Sequence, residues 1–181
     1  PSFSALHVTG FVNVIINGSN STNPNKTTIK SYNKQQVETK VRNHILYIRA
    51  LNPMTIHQTA PTVNVQMSQL NKLDVFGRVS VTGKNVKSDG LYLQADTTNN
   101  ITLTGNMVVD RISNYGSGQI YLRWIKSNTL VLKGLNGRIS LAGSVNQLRV
   151  RLRNHAILDA QYLRAQHILI QTNIYMDGIF L

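Results

Sequence analysis

The chain has 181 residues, enough for one domain with a substantial core, and carries 19 Lys and Arg against seven acidic residues, for a formal net charge of +12. This charge predicts a long-range attraction to polyanions. The absence of cysteine excludes disulfides and thiolate metal sites, and no apolar run approaches the roughly 20 residues of a transmembrane helix.

The first sixty residues predict strands with polar connections. The stretch FVNVIINGSNSTNPNKTTIKSY predicts two strands joined by a loop rich in Asn, Ser, Thr, Gly and Pro, which is typical of a hairpin. The stretch QVETKVRNHILYIRAL predicts a second pair of strands that turns at residues 42–44. We therefore expect residues 1–68 to form an N-terminal β cap that includes an antiparallel hairpin.

From about Leu70 onward, short alternating apolar segments begin every nine or ten residues. The commonest pattern is an aliphatic pair at i and i+2 followed by Gly at i+4, as in Leu73/Val75/Gly77 and Ile139/Leu141/Gly143. Two such segments make a unit of about 20 residues, which is within the range of repeat architectures. The pattern predicts an all-β solenoid over residues 69–181, with glycines at corners where the backbone takes positive φ or passes close to the next coil. A β-sandwich is the alternative, because its strands also recur at 8 to 12 residues.

Four segments together resemble the head GIN domain family of auto-transporter adhesins: FSALHVTGFVNVIIN, VETKVRNHILYIRA, LNKLDVFGRVSVTG and the ISLAG words. The resemblance extends over almost the whole chain. It implies one domain, residues 1–181, folded as a right-handed parallel β-helix. It also implies an extracytoplasmic bacterial protein with an adhesin-like role, whether secreted, periplasmic or associated with the outer membrane. It supplies no site residues.

The acidic residues give little support to catalysis. No two of them lie close in sequence, whereas glycoside hydrolysis normally needs two facing carboxylates. A polysaccharide-processing enzyme stays open as an alternative, because stacking of coils could bring Asp96 and Asp159 together. The five histidines lack metal-ligand spacing, and the sequence predicts no metal site and no cofactor.

Three arginines form the strongest candidate site. Arg149, Arg151 and Arg153 alternate with aliphatic residues, so the guanidinium groups should face outward at intervals of about 6.8 Å. Such a ladder can follow a repeating anionic polymer, because each guanidinium presents a fork of donors. Further cations could widen it into a patch: Lys133, Arg138 and Arg164. The competing interpretation is that these charges only protect an exposed strand from edge pairing.

Outward aromatic residues could add stacking surfaces for sugars or bases. Tyr47, Tyr92 and Tyr121 each lie between two aliphatic residues and should point outward. Tyr92 and Tyr121 are therefore candidate stacking residues. Trp124 has the same parity as Leu122 and is expected in the core.

These observations favour a non-catalytic binding module that presents a basic strand face to a polyanion or glycan on a cell surface or in a matrix. Candidate ligands are host glycans, lipopolysaccharide, extracellular DNA and anionic lipid. No motif for sequence-specific nucleic-acid recognition occurs. A self-assembling envelope module, in which a solenoid edge pairs with another copy, is a further alternative.

Overall fold

The computed structural model of the chain describes residues 2–19, 26–30, 36–51, 59–96, 98–172 and 178–181. These residues are mostly in strands and contain no α-helix, which confirms the all-β prediction. None of the described segments forms a helix with the length and hydropathy of a membrane span. The strands are β1 (Ala5–Gly18), β2 (Lys26–Lys30), β3 (Val37–Arg42), β4 (Ile45–Ala50), β5 (Thr62–Met67), β6 (Lys72–Lys84), β7 (Ser88–Asp96), β8 (Asn100–Asn114), β9 (Gln119–Thr172) and β10 (Gly178–Phe180).

The strands form one hydrogen-bonded sheet with a mainly parallel arrangement. Its order is β10-β9-β8-β7-β6-β1-β4-β3, while β5 pairs with β1 and with β2. Among the described residues, the antiparallel pairs are β2 with β5 and β3 with β4. A sandwich of the immunoglobulin type consists of antiparallel sheets. The parallel pairing therefore argues against the sandwich alternative.

Paired residues from β6 onward are separated by a nearly constant length of chain. Lys72 lies beside Tyr92, Ser80 beside Asn100, and Asn100 beside Gln119, so paired residues are 19 or 20 positions apart. This separation agrees with the predicted unit of about 20 residues. Outward side chains one unit apart in sequence are consequently neighbours across adjacent strands, about 4.8 Å apart.

The core consists of aliphatic residues stacked in register. One row crosses five strands and each member is at most 2% exposed: Leu6, Leu73, Leu93, Ile112 and Leu132. Burial of each such side chain contributes roughly 1.5–3 kcal/mol. Because successive side chains on a strand point to opposite faces, this row directs the intervening polar residues to solvent.

Two stacked glycines confirm the predicted role of glycine at close approaches. Gly10 and Gly77 are paired in register with φ angles of 98° and 101°. A Cβ atom on Gly77 would lie 2.7 Å from the carbonyl oxygen of Gly10. Any larger residue would therefore be strained by both its backbone conformation and the contact.

The predicted hairpin between the first two strands is wrong. Strand β2 pairs with β5 instead, because residues 13–17 of β1 are already paired with β5 on one side and β6 on the other. The second predicted pair is confirmed: β3 and β4 form an antiparallel hairpin. Its turn residues Asn43 and His44 both have positive φ, as a tight hairpin turn requires.

The predicted core position of Trp124 is also wrong, since its side chain is 63% exposed. Trp124 has a φ angle of 64°, in the left-handed region, so the alternation of inward and outward residues is broken there. Ile125 rather than Trp124 follows Leu122 into the core. A parity rule cannot anticipate such a break.

Candidate functional site

The arginine ladder is exposed. Arg149, Arg151 and Arg153 all face solvent, while the intervening Val150 and Leu152 are buried. The Arg149 guanidinium donates to the Gln147 side-chain oxygen at 3.2 Å, and Arg151 Nε donates to the Gln171 side-chain oxygen at 2.7 Å. These amides orient the guanidinium groups without cancelling their charge.

Lys133 and two of the ladder arginines, Arg151 and Arg153, line the same concave surface. A groove of about 210 Å³ is lined by Tyr115, Lys133, Gly134, Leu135, Arg151 and Arg153, and we call it the cationic groove. None of the described residues that line it is acidic. Lys133 and Arg153 are one unit of 20 residues apart, which explains how they come to the same place. The groove thus offers three positive groups to one ligand.

The other two cations proposed as extensions do not line this groove. Arg138 forms a 2.7 Å salt bridge with Asp159, so its charge is largely matched. Arg164 is exposed on a later part of β9. Of the three predicted extensions, the structure brings only Lys133 together with the ladder arginines.

The two predicted stacking tyrosines lie on the surface, each with an arginine against its ring. Tyr92 is exposed and the Arg111 guanidinium carbon lies 5.9 Å from its ring centroid. Tyr121 is half-buried and Arg123 lies 5.8 Å from its ring centroid. Both distances are within the range of cation–π attraction. The tyrosine faces are therefore partly occupied by the chain's own cations.

Sequence reasoning missed two surface residues: Tyr115 in the cationic groove, and Arg111, which lies against the Tyr92 ring and does not line that groove. Tyr115 is exposed and lines the cationic groove. Arg111 lies beside Val131 in register, and Val131 is one unit of 20 residues before Arg151. The unit length, applied backward from the ladder, is the signal that could have found Arg111.

The described carboxylates are held by neighbouring side chains in several places. Asp74 accepts from Lys72 at 2.8 Å and lies 3.7 Å from His7, and Asp159 is paired with Arg138. Within the described ranges, no group of three or more His, Asp or Glu side chains could hold a metal ion. Asp177 and His57 lie outside the described residues.

A second groove of similar size lies at the other end of the sheet. It measures about 230 Å³, and we call it the mixed-charge groove; its lining is His7, Thr9, Glu38, Lys40, Tyr47, Ile48 and Arg49. Glu38 and Arg49 are directly opposite each other in the β3–β4 register. The mixed-charge groove therefore has one carboxylate, Glu38, against the two cations Lys40 and Arg49, so its positive charge is partly offset.

The sequence matches a known family model over most of its length. The family is described as "Putative auto-transporter adhesin, head GIN domain", and the match covers residues 2–173. A search of curated proteins found no match.

Two solved structures share the fold. The crystal structure of a putative adhesin from Bacteroides fragilis NCTC 9343 superposes with a TM-score of 0.58 at 12% identity, covering 99% of this chain and 92% of that one. A putative adhesin from Parabacteroides distasonis ATCC 8503 superposes with a TM-score of 0.52 at 14% identity and the same coverage. At these identities the likeness concerns the fold alone.

Proposed function

Because the chain belongs to the family of head GIN domains of auto-transporter adhesins, we propose that it is a non-catalytic binding module that presents a basic strand face to an anionic ligand. The ligand is a polyanion or an acidic glycan outside the cytoplasm, on a cell surface or in a matrix. Binding is through the cationic groove and the adjoining Arg149.

The observation that carries this proposal is the unmatched charge of the cationic groove. Lys133, Arg151 and Arg153 repel one another, and no described acidic residue lines the groove. Between positions 111 and 164 the sequence has nine Lys and Arg and a single carboxylate, Asp159, which is already paired with Arg138. A bound sulfate, phosphate or carboxylate would relieve this repulsion and accept charge-assisted hydrogen bonds.

The repeating register supports a solenoid as the scaffold for this face. Parallel pairs 18 to 20 residues apart continue from β6 to β9, as expected if the chain winds in coils of about 20 residues over 69–181, with residues 1–68 as the cap. We take the winding to be right-handed, because parallel crossover connections almost always are. Each coil then adds one row of outward residues, so a linear polymer can contact several rows at once.

The test compares the Arg149→Ala/Arg151→Ala/Arg153→Ala variant with a control that removes the same charge elsewhere. The control is Arg42→Ala/Lys84→Ala/Lys87→Ala, at three exposed positions outside the cationic groove. Both variants and the wild-type protein are titrated with heparin, polyphosphate and duplex DNA at low and physiological salt. Circular dichroism and thermal unfolding establish that each variant is folded.

We expect the ladder variant to lose at least about a hundredfold in affinity at physiological salt, because it removes three guanidinium groups and each charge-assisted hydrogen bond contributes roughly 1.5–3 kcal/mol. The salt dependence should also become shallower, since fewer counterions are released. The control should lose less than about threefold. An equal loss in both variants would mean that the attraction is a generic effect of net charge, and would overturn the proposal.

A further inference from the structure

Trp124 has a backbone conformation that a bulky residue rarely adopts. It is the single tryptophan of the sequence, its φ angle is 64°, and it is 63% exposed. Left-handed backbone disfavours a large side chain, and an exposed indole contributes little to the hydrophobic core. Neither feature stabilises the fold, so a role outside folding is the better explanation.

Other left-handed positions in the described chain differ from this one. The non-glycine residues with positive φ are three asparagines, His44 and Trp124, and His44 lies in the β3–β4 turn. Asparagine is the ordinary choice because its short polar side chain tolerates this conformation. Trp124 is the one large apolar residue in the group. Asn or Gly at position 124 would fit the same backbone with less strain.

The surrounding packing holds the indole outward. Thr104 pairs with Arg123 and Met107 with Ile125, so Gly105 and Asn106 of the preceding strand both lie opposite Trp124, at an irregularity of the register. On the other side, a Cβ atom at Gly143 would lie 2.1 Å from the Ile125 carbonyl oxygen. The backbone at 124–125 is therefore closely packed against Gly143. Of the residues beside it, Gly105 and Gly143 have no side chain to cover the ring, and Asn106 is itself exposed.

The chemistry beside the indole is cationic and polar. Arg123 and Lys126 are both exposed, and Arg123 lies against the Tyr121 ring at 5.8 Å. Between Tyr115 and Tyr162, Trp124 is the only large hydrophobic residue that is exposed. One exposed ring with two exposed cations within two positions of it on the same strand suits a single sugar ring that bears a negative group better than it suits a broad apolar surface.

We propose that Trp124, Arg123 and Lys126 form a second binding site that takes one residue of an acidic glycan. The sugar ring stacks on the indole, and its carboxylate or sulfate accepts hydrogen bonds from Arg123 and Lys126. This inference rests on the proposed binding function and narrows its ligand class from polyanions in general to acidic glycans. The site differs from the cationic groove in using a ring as well as charge.

Because Trp124 is the single tryptophan of the sequence, its fluorescence emission reports directly on ligand binding at the proposed site. Wild-type protein is titrated with a chondroitin sulfate hexasaccharide, with polyphosphate, with maltohexaose and with phosphatidylglycerol vesicles, while tryptophan emission is recorded. Calorimetry measures the binding of each ligand independently. We expect the sulfated hexasaccharide to change the emission and to protect the indole from acrylamide quenching. Polyphosphate should bind without either effect, because it has no ring to stack.

Two variants separate binding from folding. Trp124→Asn should lower affinity for the hexasaccharide about fivefold to tenfold and leave polyphosphate affinity unchanged, with a melting temperature equal to or above that of the wild-type protein. Trp124→Tyr retains an aromatic ring and should stay within about threefold of wild-type affinity. A purely structural role would instead lower the melting temperature of Trp124→Asn.

The outcomes distinguish this inference from the proposed function. If the hexasaccharide binds by calorimetry but neither the emission nor the Trp124→Asn affinity changes, the second site is refuted while the cationic groove stands. If vesicles alone change the emission, the indole contacts lipid and the glycan site is refuted. If the Arg149→Ala/Arg151→Ala/Arg153→Ala variant keeps the emission change but loses polyphosphate, both proposals are supported as separate sites. If neither polyphosphate nor the hexasaccharide binds the wild-type protein, both fail.

Discussion

The cationic groove and the mixed-charge groove have nearly the same volume, about 210 and 230 Å³, and strand residues make up most of the lining of both. They differ in how charge is matched. At the mixed-charge groove, Glu38 on β3 lies opposite Arg49 on β4. Asp74, which lies next to the lining residue His7, forms a salt bridge with Lys72. No described acidic residue lines the cationic groove. Shape therefore does not distinguish the two grooves, and the absence of a lining carboxylate is what sets the cationic groove apart.

The largest expected effect is on stability, and it tests whether the core is packed equally well beneath the two grooves. Leu152 beneath the ladder and Ile48 at the mixed-charge groove are both fully buried. Leu152→Ala and Ile48→Ala should each lower the free energy of unfolding by about 3 kcal/mol, through lost burial and a residual cavity. Urea denaturation with comparison of the m-values measures both. A difference greater than about 2 kcal/mol between them would show that the grooves differ in packing as well as in charge.

The next largest effect is on heparin affinity, when the charge of one lining residue in each groove is reversed. Arg153→Glu and Lys40→Glu change the net charge equally, at exposed positions in the cationic and the mixed-charge groove. At physiological salt we expect Arg153→Glu to lower heparin affinity about tenfold or more, because it places a like charge against the ligand. Lys40→Glu should lower it less than about threefold. Calorimetric titration measures both, and similar losses would remove the distinction between the grooves.

The smallest expected effect comes from removing a carboxylate beside the mixed-charge groove, which makes its surroundings more like those of the cationic groove. Asp74→Asn leaves Lys72 without its carboxylate partner, so heparin affinity at low salt should rise about twofold to threefold. The free energy of unfolding should fall by no more than about 1 kcal/mol, since Lys72 is half-exposed. Asp159→Asn is the matched control, because it frees Arg138 outside both grooves. If the control gains as much affinity as Asp74→Asn, the gain comes from net charge rather than from the groove.

Much of the local structure could be predicted from short-range pattern. The alternation around Val150 correctly places Arg151 outward, because side-chain direction on a strand depends only on parity. Parity failed at Trp124, where left-handed backbone breaks the alternation. The partner of β2 was likewise inaccessible, because pairing with β5 depends on which edges of β1 are already occupied.

The amino-acid sequence by itself determined the strand character, the unit of about 20 residues and the outward direction of the ladder, since these follow from local periodicity and glycine spacing. Only the tertiary structure decided which cations share a surface. Lys133 and Arg138 are five positions apart, yet one lines the cationic groove and the other is paired with Asp159. The reason is physical: net charge is a sum over the chain, whereas a binding site depends on the distances between its charges, and the register of distant strands fixes those distances.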